Sequence, residues 1–328
     1  MTVLLFALSF LLIVGAAELF TNAVEWAGFR MRLGHGATGS LLAAVGTALP
    51  ETAVPVVALI TRSPSADAVA QGSVLGAPFL LLTIGVSITG LAVVLRGPDR
   101  RLHADARQVR RDFGVFIVAF AAVLAAIAAP PGLRIGIGVA LLLFYAVYVG
   151  VTLRGGTPSV DLPEPLHIVR WRAGSPHAAL IVVQLAAAVA LLLVGSTLFV
   201  TALHDAADAL HIAPLLVALV AVPVATELPE TLNSVLWVRT RDDSLAIGNI
   251  AGSAAFQACV LGFVGVTFTT WKPGGGGLIG GVIALVTACA LLLALRNGRA
   301  RGVLLGAAVL PWAGYVVAQV VAGGHLGA

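Results

Sequence analysis

Three glutamates lie inside long apolar stretches of this sequence, and two of them occupy equivalent positions in a repeated motif. The pattern T-x-L-P-E-T occurs twice, ending in Glu51-Thr52 and in Glu230-Thr231, and the second copy carries a further acid, Glu227. A charged group at the centre of a bilayer costs roughly 2.5–3.5 kcal/mol, so such acids are retained where they face a cavity and bind something. The alternative is a structural hydrogen bond between helices, made by a protonated glutamate.

A proline precedes each repeated glutamate and predicts a break in its helix. Pro50 and Pro229 remove a backbone donor and clash with the carbonyl four residues back. Carbonyls freed in that turn, including those of Thr47 and Thr226, can then point at an ion. Each threonine lies four residues before its glutamate and therefore on the same helix face. Two carboxylates and several carbonyl oxygens suit a hard cation such as Ca²⁺, which takes about six to eight oxygen ligands.

Polar residues later in the chain could complete such a site. Ser253 and Gln257 lie four residues apart in an apolar segment, so they share a helix face and could donate oxygens. No cluster of Cys and His residues, which would favour zinc or copper, accompanies them. Two glycine pairs, each spaced by four, let the helices that carry them approach closely: Gly72 and Gly76, Gly248 and Gly252.

Composition places these residues in a membrane protein. Hydrophobic residues make up 59% of 328 positions, charged residues only 10%, and the mean hydropathy is +1.03, whereas a soluble domain carries roughly 25% charged residues. Apolar segments long enough to cross a hydrocarbon core of roughly 30 Å recur along the whole chain. They predict an all-α membrane protein with ten transmembrane helices, at about 2–29, 36–61, 68–95, 113–130, 132–153, 177–203, 212–238, 244–270, 276–295 and 302–322.

Basic residues segregate between the connections of these ten helices. Of the 19 Lys and Arg residues, all but Arg62, Arg134 and Lys272 lie in odd-numbered connections. Cytoplasmic loops carry an excess of Lys and Arg, so the odd connections are predicted to be cytoplasmic. The chain is therefore expected in the inner or plasma membrane of the cell, with both termini on the outer face.

An internal repeat divides the chain. Aligning Glu51 with Glu230 superposes the two T-x-L-P-E-T copies, and after a slightly shorter loop Gly72 and Gly76 superpose on Gly248 and Gly252. We expect one repeat at 1–153 (helices 1–5), a cytoplasmic loop at 154–176, and a second repeat at 177–328 (helices 6–10). Because five is odd, the second copy enters the membrane from the opposite face, and inverted repeats place a shared binding site near the midplane.

The motif residues resemble those of the cation/calcium exchanger superfamily, which contains the sodium/calcium exchangers. Its members carry a G-T-S-L-P-E type motif followed by G-N-x-x-G-S-N in each of two repeats, and the corresponding segments here are 46–51, 72–78, 225–230 and 248–254. The resemblance covers essentially all ten predicted helices. It implies alternating access, with Ca²⁺ bound by Glu51, Glu230 and the carbonyls of Thr47 and Thr226.

Several positions depart from the family pattern. The hydroxyl that precedes L-P-E in the family is replaced by Ala48 in the first repeat and by Glu227 in the second. Ala77 and Leu81 stand where the third helix of the family carries polar residues, whereas the eighth helix keeps Ser253 and Gln257. Oxygens expected to complete the sodium sites are therefore missing from the first repeat.

Charge balance singles out Glu227. A bound Ca²⁺ balances Glu51 and Glu230 and leaves Glu227 in a low-dielectric site beside like charges, which disfavours its charged form. We therefore expect Glu227 to hold a proton and to couple proton movement to cation movement. The alternative is that Glu227 supplies extra charge to an altered metal site.

The favoured function is secondary active antiport of Ca²⁺, or a related cation, against H⁺ or Na⁺. Alternatives are a monovalent cation/proton antiporter of the same fold, a channel and an intramembrane enzyme. No nucleophile or metal-ligating histidine accompanies Glu51 or Glu230, so enzymatic activity is not expected, and no G-x-x-x-x-G-K-[ST] loop for a nucleotide occurs. The expected partners are inorganic cations and the lipid bilayer, without nucleic acid and without a resident cofactor.

Overall fold

The structure, a computed structural model, describes residues 2–30, 48–154, 164–168, 176–210 and 227–324. Within these ranges the chain is mostly helical. Two helices continue through a π-helical turn, at Leu81–Gly85 and at Gln257–Leu261. The elements are α1 (Thr2–Arg30), α2 (Leu49–Ile60), α3 (Ala66–Leu80), α4 (Val86–Leu95), β1 (Arg101–His103), α5 (Ala106–Ala125), α6 (Pro131–Arg154), α7 (Ala178–Leu210), α8 (Leu228–Arg239), α9 (Asp243–Phe256), α10 (Gly262–Phe268), α11 (Gly275–Leu295), β2 (Arg299–Arg301), α12 (Gly302–Gly306) and α13 (Val309–Gly324).

Seven helical stretches of the described chain are long and apolar enough to cross a membrane. They are Ala66–Leu95, Ala106–Ala128, Pro131–Arg154, Ala178–Ala202, Asp243–Phe268, Gly275–Leu295 and Gly302–Gln319. Two further apolar helices, Leu4–Phe20 and Glu51–Ile60, are shorter. The predicted segments 36–61 and 212–238 lie partly outside the described residues, and the count of ten helices stays a prediction.

Some predicted boundaries were wrong. The helix expected to begin at 113 begins at Ala106, because the side chain of Asp105 caps it by accepting a hydrogen bond from the backbone N–H of Arg107 at 2.8 Å. Such a cap satisfies one of the free N–H groups at a helix start. The last predicted helix, 302–322, is interrupted between Gly306 and Val309.

A two-stranded ribbon also departs from the all-α prediction. Strands β1 and β2 pair antiparallel, with Leu102 opposite Ala300. Both of these side chains are buried and belong to the main hydrophobic core. The ribbon joins two connections from opposite halves of the sequence, so local sequence patterns gave no signal for it.

The two most deeply buried spans run antiparallel through the centre of the molecule. One is α3–α4 and the other is α9–α10. At one end, Asp67 accepts hydrogen bonds from the backbone N–H of Thr270 at 3.0 Å and from its hydroxyl at 2.7 Å. At the other end, Asp243 forms a buried ion pair with Arg96 and accepts the backbone N–H of His103 at 2.6 Å. These polar contacts fasten the start of each central span to the end of the other.

Local geometry recurs at the spacing of the sequence repeat. The two π-helical turns are related by the same sequence offset as the glycine pairs. Helices α2 and α8 are each followed by an arginine of positive φ, Arg62 at 52° and Arg241 at 65°. These arginines are related by the same offset as the two L-P-E-T motifs. In both places the next backbone N–H bonds a carbonyl five residues back, as in a Schellman motif.

A second antiparallel pair is formed by α1 and α7. Phe6 meets Phe199 edge to face at 5.2 Å near one end, and Arg30 donates to the carbonyl of Pro176 at 2.7 Å near the other. Between these contacts, Gln184 donates to Asn22 at 2.9 Å. Most of the length of α1 is therefore packed against α7.

Close backbone packing holds α12 against α4. A Cβ built on Gly90 would lie 2.6 Å from the backbone nitrogen of Gly306 and 2.7 Å from the carbonyl oxygen of Gly302. Only a glycine fits at Gly90, since backbone atoms cannot move aside as a flexible side chain can.

Candidate cation site

Two short helices begin at the repeated motif and place its glutamates. Helices α2 and α8 start at Leu49 and Leu228, with proline in the first turn, where its missing N–H is tolerated. Glu51 and Glu230 also lie in these first turns. The positive end of a helix dipole favours an anion there. Thr47 and Thr226 precede the two helices and lie outside the described residues, so the role of their carbonyls as ion ligands stays a prediction.

Three carboxylates converge between these helix starts. Glu51, Glu227 and Glu230 are all buried, and one carboxylate oxygen of each lies within 4.8 Å of the others. Among the residues that the structure describes, no other three His, Cys, Asp or Glu side chains come together in this way. The acid of the first repeat therefore meets both acids of the second, as a shared site requires.

The side chain of Gln257 holds one of the three acids. Its Nε2 donates to Oε1 of Glu227 at 2.6 Å, which is short for an amide donor and typical of a strong hydrogen bond. Gln257 is the first residue of a π-helical turn, a local widening of the helix that is frequent at functional sites. Both residues are expected at the site from the sequence, but the hydrogen bond between them is not.

Several oxygens near this contact make no hydrogen bond within the described chain. They are Oε2 of Glu227, Oε1 of Gln257 and Oγ of Ser253, and all are buried. Ser253 lies one turn before Gln257 on α9. Buried oxygens of this kind are costly unless they bind a donor or a cation. Carboxylate, amide and hydroxyl oxygens together make a donor set for a hard cation.

The first repeat contributes fewer oxygens than the second. Ala77 and Leu81 occupy the positions equivalent to Ser253 and Gln257, and both are buried apolar side chains. Ala48, equivalent to Glu227, is likewise buried and apolar. The observed cluster is therefore asymmetric, with two acids from the second repeat and one from the first.

One supporting residue was missed by the sequence analysis. The Nδ2 of Asn249 donates to the backbone carbonyl of Glu230 at 3.2 Å and to Oγ of Ser234 at 3.4 Å. It therefore links α9 to the first turn of α8, beside the cluster. The signal was an amide side chain within an apolar helix, at the second position of the G-N-x-x-G-S-N motif.

Comparison with known proteins places this geometry in a family. The profile of the family described as sodium/calcium exchanger protein matches residues 1–154 and 180–321. A putative antiporter CaxA of Alkalimonas amylolytica is 26% identical over 306 residues, which cover 88% of each chain.

Solved structures show the same fold. The H⁺/Ca²⁺ exchanger CAX superposes with a TM-score of 0.79 at 17% identity, covering 97% of this chain and 82% of the other. The sodium-calcium exchanger NCX_Mj superposes with a TM-score of 0.63 at 20% identity, covering 97% of both chains. The family profile accounts for most of the sequence, and the chain belongs to the sodium/calcium exchanger protein family.

Proposed function

We propose that the chain is a Ca²⁺/H⁺ antiporter in which Glu51, Glu227 and Glu230 form the shared ion site. The observation that carries this proposal is the convergence of the three buried carboxylates within 4.8 Å. Its family and its solved neighbours are exchangers, which agrees with transport rather than catalysis.

The three carboxylates need compensating positive charge. Two unit charges 4.8 Å apart repel by about 3.5 kcal/mol at an effective dielectric constant of about 20. A Ca²⁺ ion neutralises two of the acids, and a proton on the third brings the cluster to zero net charge. When the Ca²⁺ leaves, two protons pass by way of Glu227, the acid that already carries one, to Glu51 and Glu230 and restore that balance. Exchange of Ca²⁺ for protons therefore follows from keeping the site neutral.

Glu227 is the acid best placed to keep its proton while Ca²⁺ is bound. Gln257 fixes one of its oxygens, Oε1, and the other, Oε2, makes no hydrogen bond to a described residue. The amide oxygen of Gln257 also makes none within the described chain. In this proposal Oε2 carries the proton, and the amide oxygen of Gln257 and the hydroxyl of Ser253 complete the shell around Ca²⁺ with Thr47 and Thr226.

Sodium coupling is the less favoured alternative. The apolar side chains of Ala77 and Leu81 supply no oxygens for monovalent ions in the first repeat. The missing oxygens favour H⁺ over Na⁺ as the counter-ion.

Alternating access suits the repeat organisation. The repeats at 1–153 and 177–328, joined by the loop at 154–176, are supported by the π-helical turns and the Arg62 and Arg241 caps, which recur at the offsets of the sequence motifs. In the proposed inverted arrangement of ten helices, the odd connections are cytoplasmic and both termini lie outside. The site would then open to each side in turn.

Ion flux in proteoliposomes tests the proposal. Ca²⁺ uptake is followed with an internal dye under an imposed pH gradient, and separately under a Na⁺ gradient at equal pH. We expect the pH gradient alone to drive uptake, and Glu51→Gln to abolish it while Glu18→Gln, an exposed acid on α1, retains it. Uptake driven by Na⁺ without a pH gradient would contradict proton coupling. Proton flux driven by Na⁺ or K⁺, with no Ca²⁺ movement, would favour the monovalent alternative.

A further inference from the structure

The two-stranded ribbon presents four basic side chains on one face. In the register of β1 and β2, Arg101 lies opposite Arg301, and His103 lies opposite Arg299. Side chains alternate between the faces of a strand, so these four point to the same side. All four are exposed, whereas Leu102 and Ala300 on the other face are buried in the core. One face of the ribbon is therefore basic and the other is apolar.

This arrangement places like charges directly against each other. Cβ atoms of opposed residues are about 4.5–5.5 Å apart, and like charges in such pairs are destabilising. Within the described chain, Arg101, Arg299 and Arg301 make no ion pair with a carboxylate, and the only acid paired with the ribbon face is Asp99, at His103. The described part of the chain therefore supplies no carboxylate for these three arginines, and their charge can be balanced by anions at the membrane surface.

The ribbon lies next to the ends of membrane-spanning helices. Strand β2 begins four residues after Leu295 and ends directly before Gly302, each of which bounds an apolar span. An extended chain advances at most about 3.6 Å per residue, so Arg299 lies within about 14 Å of the end of the hydrocarbon region. The headgroup region extends roughly 5–8 Å beyond the hydrocarbon on each side, so the long side chain of Arg299 is within reach of it.

We infer that the basic face of the ribbon binds the phosphate groups of anionic phospholipids in the adjacent leaflet. Guanidinium groups bind phosphate through two parallel hydrogen bonds, and several of them can share one headgroup. The apolar face packs against the core, and the long arginine side chains of the exposed face are free to bend toward the headgroups. Headgroup binding would relieve the repulsion between Arg101 and Arg301.

The ribbon is joined to a helix of the cation site. The backbone N–H of His103 donates to Asp243 at 2.6 Å, and Asp243 is the first residue of α9. Arg96, just before the ribbon, pairs with the same carboxylate. Lipid that orders the ribbon therefore also stabilises the start of the helix that carries Ser253 and leads into Gln257. The lipid site itself does not depend on the proposed transport function.

Unfolding temperature measured in nanodiscs tests lipid binding without any transport assay. The protein is placed in discs of phosphatidylcholine with increasing phosphatidylglycerol, and the content that gives half-maximal stabilisation is determined. Each arginine near an anionic surface strengthens binding by about five-fold. The triple variant Arg101→Gln, Arg299→Gln, Arg301→Gln should therefore need far more phosphatidylglycerol than the wild type. A matched variant, Arg107→Gln, Arg154→Gln, Arg239→Gln, removes equal charge at scattered positions outside the ribbon and should need much less extra phosphatidylglycerol than the ribbon variant does.

A second variant separates lipid binding from folding of the ribbon. In Arg301→Glu the new carboxylate lies opposite Arg101, so the strands gain an opposite-charge pair while the face loses its positive charge. We expect this variant to be at least as stable as the wild type in phosphatidylcholine alone, and to gain little from phosphatidylglycerol.

Three results would overturn the inference. In one, both ribbon variants keep the full stabilisation by phosphatidylglycerol. In another, the control variant loses as much stabilisation as the ribbon variant, which would indicate a general charge effect. In the third, soluble glycerol phosphate or inorganic phosphate stabilises the protein in phosphatidylcholine discs as well as the lipid does, which would assign the face to a soluble anion.

Discussion

Replacing Glu227 by Gln separates its two proposed roles, proton carrier and charged metal ligand. Glutamine has nearly the same shape, and its amide oxygen can still accept the hydrogen bond that Gln257 donates at 2.6 Å. The substitution therefore removes the titratable group and leaves the local geometry in place. If Glu227 is protonated while Ca²⁺ is bound, the variant resembles that state and should bind Ca²⁺ with an affinity within a few-fold of the wild type.

If Glu227 is instead a charged metal ligand, the spacing of the acids gives the loss of Ca²⁺ affinity expected for Glu227→Gln. If Glu227 were ionised in the Ca²⁺-bound site, its loss would remove the attraction between its charge and the ion. An ion held among three carboxylates whose oxygens lie within 4.8 Å of one another is nearer to each of them than that distance. Even one unit of attracted charge at 4.8 Å amounts to about 3.5 kcal/mol at an effective dielectric constant of about 20, so Ca²⁺ affinity should fall at least about 300-fold. The same loss is expected for Glu51→Gln and Glu230→Gln, whose charges balance Ca²⁺ directly.

Calorimetric titration of the purified protein with Ca²⁺ measures these affinities, and flux in proteoliposomes measures the coupling. We expect Glu227→Gln to bind Ca²⁺ normally while its uptake no longer follows the pH gradient, and Glu18→Gln to resemble the wild type in both assays. A loss of affinity of that size in Glu227→Gln would assign the residue to the metal shell. Undiminished pH-driven uptake in that variant would refute the proton role equally.

Three further substitutions test the framework around the site. Asp243→Asn breaks a buried ion pair and should destabilise the protein by about 3–5 kcal/mol. Asp67→Asn, whose partner is an exposed threonine, should destabilise it by no more than about 1 kcal/mol. Unfolding by denaturant measures both free energies. Gly90→Ala forces a Cβ against backbone atoms and should lower the unfolding temperature by several degrees, while Gly136→Ala, with open space around it, should not. Gln257→Leu removes both the donor to a buried acid and an oxygen of the proposed Ca²⁺ shell, so Ca²⁺ affinity and Ca²⁺ uptake should both fall, uptake by at least about ten-fold, as parallel titration and flux would show.

The ends of the apolar spans were predicted well where contact with lipid requires apolar residues. The structure gives Ala66–Leu95 where 68–95 was expected, and Gly275–Leu295 where 276–295 was expected. Hydropathy changes sharply at those ends, because the chain passes from hydrocarbon to water there. The start of α5 at Ala106 was missed because its first turn is polar. A polar helix turn at the membrane surface has the same low hydropathy as a loop, so hydropathy does not show where the helix begins.

Long-range pairing was not predictable in the same way. Strand β1 is three residues long and pairs with β2, and neither strand has a periodic pattern long enough to identify it. The register of such a ribbon is set by Gly298, at φ 72°, and by the burial of Leu102 against the helices. Both causes lie in tertiary contacts, which a search along the sequence does not reveal.

The convergence of the buried acids was easier to predict than the ribbon, because its signal is chemical. Buried acids in an apolar span are costly, so their repetition at Glu51 and Glu230 pointed to a common purpose, and the structure brings these two together with Glu227. The hydrogen bond from Gln257 to Glu227 joins residues 30 positions apart on different helices. The sequence placed both near the site without indicating that one holds the other.

The asymmetry of the cluster has a mechanical consequence for the proposed exchange. Glu227 and Glu230 belong to one helix start and move together, and Gln257 and Asn249 hold them to α9. Glu51 alone comes from the other repeat, on the short helix α2. A displacement of α2 by a few ångströms would therefore withdraw one of the two charges that balance Ca²⁺. Affinity would then fall steeply, because Glu230 and the protonated Glu227 offer only one negative charge to a doubly charged ion. Movement between the repeats thus changes cation affinity and proton occupancy in a single step, which is the coupling that an antiporter requires.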